Sequence, residues 1–369
     1  MLAKRSLTVL ACVAALLLAV AVFHRGGGDS SAVVRAKSSS GAEGRQASAP
    51  AEPTGRERRL ERALRAGVAS AAGLGGDVEA AAMFDASPAP LVATSEPGGA
   101  ERFMRLWSIS KVATMVALFQ RLGWGDRDGE MLSPEVLEAL AGAMTRSENC
   151  RQRRVVIELQ RAAGGIAGAR QALADEFNSF RAKLQPGTQV APPEALCLPF
   201  LRRQTEIPDP LAPALLLGTS RWRVSDAVRL AHALATDAFG KTLSDQVLAL
   251  MSAPKRASRE SEPGELTAPL DWGAGVVFGD LRPAYKAGWG GSLNGNFLAG
   301  QIVVVGLPRN DHLSLAVMFH PSSQPERDDP GITVAPEAIE AVMQTVRSTL
   351  GDIDVSAASA GNGTGLPSD

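Results

Sequence analysis

The chain has 369 residues, of which 45% are hydrophobic and 21% charged, and its formal net charge is −1. That length accommodates one large folded unit, or two intergrown subdomains, together with tails, and the composition is that of a globular protein. The even balance of charge removes any electrostatic case for a nucleic-acid partner, so partners have to be argued from a site.

Lys4 and Arg5 precede an apolar run from Leu7 to Phe23, which His24, Arg25 and three glycines close. This pattern marks residues 1–24 as an export segment. The run is at the short end of what crosses a bilayer, and Ala19 and Ala21 offer a small-x-small cleavage site. Signal peptide and uncleaved anchor are therefore both open. The basic end directs the bulk of the chain outward, to an extracellular or cell-surface location, with membrane contact confined to this segment. Cys12 belongs to the apolar run. Residues 25–54, rich in Gly, Ser, Ala and Pro, read as a disordered linker.

The folded unit is expected over 55–352. A helix from Arg56 to Ala72 presents Leu60, Leu64 and Val68 as one apolar stripe, suited to lying on a sheet. Val78 to Phe84 and Leu91 to Ser95 read as an antiparallel strand pair. The stretch from about 111 to 253 is mainly helical, with Ser133-Pro134 as N-cap and first-turn residue of a helix through Met144, and a further helix from Val155 to Ala163. Strand character returns in Ala284–Gly288, Gly295–Leu307 and His312–His320, before a last helix from Pro336 to Leu350 and a disordered tail over 353–369. The order implies an α+β fold, in which the chain ends complete one antiparallel sheet around an inserted all-helical subdomain. Export also allows a disulfide between Cys150 and Cys197, with two buried thiols as the alternative.

Three short motifs carry chemistry. Ser108-Ile109-Ser110-Lys111 opens an apolar helix, Val112 to Leu122, and its three-residue spacing puts Ser108 and Lys111 on one face. A lysine so placed accepts the serine proton if burial or a nearby cation holds it neutral. Ser147-Glu148-Asn149 stands between two helices, where a hydroxyl can relay a proton and an amide can hold both the lysine and a substrate carbonyl. Lys286-Ala287-Gly288, followed by Trp289, lies on a strand. There the lysine attracts an anionic substrate, and the glycine admits a ligand close to the strand edge. Each motif alone has an ordinary structural reading, as helix cap, N-cap or strand-ending turn; the conjunction is what points to a site.

In this order and context the motifs resemble the Ser-x-x-Lys, Ser-x-Asn and Lys-Thr-Gly set of class A β-lactamases and penicillin-binding proteins, and the layout of elements extends the resemblance over about residues 56–350. The resemblance implies Ser108 as the acylated nucleophile, Lys111 as its base and Ser147 as the proton relay. Asn149 would orient substrate, Lys286 would bind it electrostatically, and Gly288 and Trp289 would line it. The oxyanion hole would use the backbone N–H groups of Ser108 and Trp289. Such a scheme needs neither metal nor cofactor, and its partner is a small-molecule β-lactam or a peptidoglycan stem peptide.

Two departures qualify what the resemblance implies. Ala287 replaces the hydroxyl residue in the middle of the third motif, with Ser292 as the nearest substitute. No Glu-x-x-Leu-Asn pattern supplies the deacylation glutamate of class A enzymes, and Glu194 and Glu206 read as loop carboxylates. A β-lactam acyl group would then persist, as in penicillin-binding proteins. A β-lactamase-like or D,D-peptidase-like serine hydrolase and a noncatalytic cell-wall binding protein on the same fold are the competing readings.

Overall fold

Thr54 starts the first helix through a capping box. Its hydroxyl accepts from the Glu57 N–H at 3.1 Å, and the Glu57 carboxylate accepts from the Thr54 N–H at 2.8 Å. Helix α1 then runs Gly55–Ala72, and its stripe of Leu60, Leu64 and Val68 is buried. The computed structural model describes residues 52–105, 107–124, 132–179, 221–253, 272–291, 297–321 and 334–361. The export segment, most of the linker, Cys197, Glu194, Glu206 and Ser292 lie outside them. No helix among the described residues is long and apolar enough to cross a membrane.

Strands β1 (Gly76–Phe84) and β2 (Leu91–Thr94) pair antiparallel, as expected from the sequence. Strands β5 (Ala284–Gly291), β6 (Phe297–Leu307) and β7 (Asp311–Pro321) follow the helical block, and the five-stranded sheet has the order β2-β1-β7-β6-β5. The first and last parts of the chain thus meet where β1 pairs with β7, in the register Ala80↔Val317. An additional two-stranded element, β3 (Met104–Arg105) with β4 (Arg221–Trp222), is too short to be visible as a pattern in the sequence.

The helical block contains α2 (Ser110–Arg121), α3 (Pro134–Thr145), α4 (Asn149–Ala162), α5 (Ile166–Ser179), α6 (Val224–Ala235) and α7 (Lys241–Ser252). Ser133 caps α3, accepting from the Val136 N–H at 3.4 Å, with Pro134 in the first turn. Helix α4 begins at Asn149 rather than Val155, because Glu148 takes the extended N-cap conformation and the charged residues after it are good helix formers. A short helix α8 (Ala274–Val277) precedes β5. The last helix, α9, spans Val334–Gly361 and so extends past Leu350 into the stretch expected to be disordered; its alanine-rich end lacks any proline that would stop it.

The sheet divides the interior into two cores. Strand residues Val78, Ala80 and Ala82 of β1, with Leu315 and Val317 of β7, pack against α1 and α9. Their neighbours Ala81, Met83, Ala316 and Met318 pack against the helical block. Period-two alternation therefore assigns one face to each layer, which is the α+β arrangement expected. The charge run Arg151, Arg153, Arg154, which sequence alone would leave as a solvated face, is partly packed: Arg153 is 8% exposed and Arg151 pairs with Glu138 at 2.8 Å.

Candidate active site

Ser108 lies in a 3-10 turn, Trp107–Ile109, immediately before α2, and is half-buried. The turn is seated against β5 and β6. Ile109 anchors it: this side chain is 2% exposed and lies over Gly300 of β6, where a Cβ would touch its Cδ1 at 3.5 Å. Lys111 follows one turn later on α2 and is wholly buried. Thus one short segment carries both residues of the first motif.

The Lys111 ammonium reaches across to the turn between α3 and α4. It donates to the Ser147 carbonyl oxygen, to Asn149 Oδ1 at 2.9 Å and to Ser147 Oγ at 3.3 Å. Three acceptors match the three N–H donors of an ammonium. From the opposite side Lys286, 3% exposed on β5, donates to Ser147 Oγ at 2.9 Å and to the Ala287 carbonyl at 2.7 Å. Both lone pairs of the Ser147 hydroxyl are therefore engaged by lysines, and its own O–H is left to donate. Lysines 36 positions before and 139 positions after Ser147 converge on its hydroxyl oxygen.

Ser147 has φ 55°, a left-handed conformation that costs a non-glycine residue free energy and needs outside support. Glu148 provides it. The carboxylate is 2% exposed and accepts from Arg146 Nε at 2.7 Å, with Arg151 Nε at 3.8 Å. Gly142 makes room for it, since a Cβ there would stand 2.6 Å from Glu148 Oε2. Reading the motif as Ser-x-Asn passed over this middle residue; an acid with arginines two before and three after it was the available signal.

On β5, Gly288 lies opposite Gly300 and Trp289 opposite Ala299. The Trp289 ring turns toward the core shared with the terminal helices, 6.3 Å from the ring of Trp272. Ala287 is buried in the same core, on the face away from Lys286. Cys150, next to Asn149, is buried and disulfide-bonded; Cys197 lies outside the described residues. His232 contacts the Asp85 carbonyl at 3.2 Å and His312 the Asp85 carboxylate at 2.9 Å, so both meet at the residue that follows β1.

No family model matches the sequence, and no curated protein matches it. Solved structures do. The transpeptidase domain of the FtsI4 D,D-transpeptidase from Legionella pneumophila aligns over 79% of this chain and 96% of its own, with TM-score 0.50 and 14% identity. A class A β-lactamase from Bacteroides cellulosilyticus aligns over 81% of this chain and 100% of its own, with TM-score 0.50 and 15% identity. At such identities the likeness is one of fold, and in that respect the chain has the α+β fold of the serine β-lactamases and penicillin-binding transpeptidases.

Proposed function

We propose that this chain is an exported serine hydrolase that forms an acyl-enzyme at Ser108 with a β-lactam or a D-Ala-D-Ala-type amide. The supporting observation is the convergence of Lys111, Asn149 and Lys286 on the Ser147 turn, beside the turn that carries Ser108. Ser108 Oγ attacks the substrate carbonyl carbon as its proton passes to Lys111, which serves as base once it has given up one of the three protons that its ammonium donates in the resting site. The negative charge that develops on the carbonyl oxygen is held by the backbone N–H groups of Ser108 and Trp289. Collapse of the tetrahedral species breaks the carbon–nitrogen bond. The Ser147 O–H gives its proton to the leaving nitrogen and is reprotonated from Lys111, while Lys286 faces the substrate's anionic end.

Ala287 favours a second reading, binding without turnover, because the third motif offers no hydroxyl to a substrate carboxylate. A fluorescent penicillin discriminates between them. The wild-type chain is expected to be labelled covalently and Ser108→Ala to remain unlabelled; equal labelling of the two would remove Ser108 as nucleophile. Slow nitrocefin turnover is expected alongside, as a persistent acyl group requires.

A further inference from the structure

Strand β5 is an edge strand: in the order β2-β1-β7-β6-β5 it pairs, among the described residues, only with β6. It carries Lys286, Gly288 and the Trp289 N–H, and its outer edge has to stay open for substrate. Its position is therefore set by β6 and by what packs on its two faces. On the face away from Ser108 stands a buried polar group unlike its surroundings. Gln301, directly opposite Ala287 in the β5–β6 register, is 0% exposed within an apolar core. Its Nε2 donates to the Trp272 carbonyl at 2.8 Å, and its Oε1 accepts from the Ala274 N–H at 2.9 Å.

Gly273, between those two partners, has φ 64°, and a Cβ on it would stand 2.5 Å from Gln301 Oε1. Its N–H donates to Glu340 Oε1 on α9 at 2.9 Å. The segment 272–274 is thus bolted to β6 and to α9, and it holds the Trp272 ring 6.3 Å from the Trp289 ring. A buried amide with both ends satisfied fixes position in a way that an aliphatic side chain does not, since each bond is directional and costly to leave unmade.

We infer that Gln301 and Trp272 are positioning residues for the Trp289 N–H: they brace β5 from behind so that this donor stands where the oxyanion forms. The inference rests on the proposed acyl transfer and extends it to residues outside the three motifs. Misplacing one oxyanion donor slows the chemical step more than it weakens encounter with substrate.

The test uses the full chain and a fluorescent penicillin, with the acylation rate at saturation separated from the half-saturating concentration. Gln301→Met removes the two hydrogen bonds at similar volume. Trp272→Phe keeps them and trims the ring contact, and so is the safer variant to fold. Each is expected to lower the saturating rate by about tenfold or more with the half-saturating concentration unchanged. Amide hydrogen exchange in 284–291 is expected to quicken. Gln301→Glu is expected to approach the wild-type rate as pH falls, because only the protonated carboxyl can donate to the Trp272 carbonyl. Leu64→Ala, buried on α1 in the same core but against β1 and β2 at the other edge of the sheet, supplies the control for lost stability alone. Wild-type saturating rates in both bracket variants, or an equal slowing in Leu64→Ala, would overturn the inference. If the wild-type chain takes no label, the proposed function fails, and exchange in 284–291 decides the bracket. Faster exchange in Gln301→Met than in Leu64→Ala then supports it, and equal exchange overturns it.

Discussion

Glu79 stands on β1 facing the helical block, 2% exposed, and neither carboxylate oxygen accepts a hydrogen bond although Arg102 Nε lies 3.4 Å from Oε1. Burial pushes its pKa up to about 8, with Arg102 offsetting part of the effect and Asp77 and Glu96 adding to it. In the unfolded chain a glutamate titrates near ~4.3, so between the two values the folded state holds the extra proton. The stabilising contribution of the neutral form is complete below the lower value and is lost as pH rises toward about 8. Glu79→Gln is therefore expected to gain on the wild type by a few kcal/mol between pH 5 and pH 8, measured by urea unfolding at each pH. Asp77, Glu96, Arg102 and His320 are common to both proteins, so the difference isolates Glu79. A difference that does not change with pH would contradict its burial as an acid.

At the scale of elements, the turn between α3 and α4 holds Ser147 in its left-handed conformation through the packing of Glu148 over Gly142. Gly142→Ala adds a methyl group that collides with the tip of Glu148 and with Arg151 Cγ, at 2.6 and 2.9 Å, and not with backbone. Glu148 is what gives way. Alanine inside a helix gains up to about 1 kcal/mol over glycine, so net stability should change little. The displaced carboxylate should nevertheless shift the Ser147 turn and slow penicillin acylation by about tenfold, an outcome that thermal unfolding and labelling rates together would check. The sequence made Ser147 and Asn149 legible because their spacing from the other motifs is a pattern. It could not show that the hydroxyl lies between two lysines, since that depends on strand register and on a turn conformation that serine seldom adopts. In the same way Leu60, Leu64 and Val68 announced α1, whereas β3 and β4, two residues each, hold too little pattern to be read. Gln301 was invisible for the opposite reason: inside a run of strand residues, a single amide says nothing of what it grips.

Over the whole molecule, the site is assembled from a turn before α2, a turn after α3 and an edge strand that enters the sheet only after the helical block is complete. The helical core is not closed by helices alone. Ala81 and Met83 of β1, Ile302 and Val304 of β6, and Ala316 and Met318 of β7 fill its sheet side, so the helical block loses one wall of its interior if the sheet opens. The sheet in turn needs both ends of the chain, because β1 joins it through β7 and both α1 and α9 cover its other face. The helical block has no closed core without the sheet, and the same strands line both cores, so a domain of this construction should unfold in one cooperative step. Penicillin labelling of Ser108 and near-ultraviolet circular dichroism, followed through the same urea titration, are accordingly expected to lose their signals at a common midpoint. The alternative outcome is informative at this scale. Label lost well before the dichroism signal would mean that the α3–α4 turn or β5 detaches while both cores persist, placing the site in a less stable unit than the sheet that carries it.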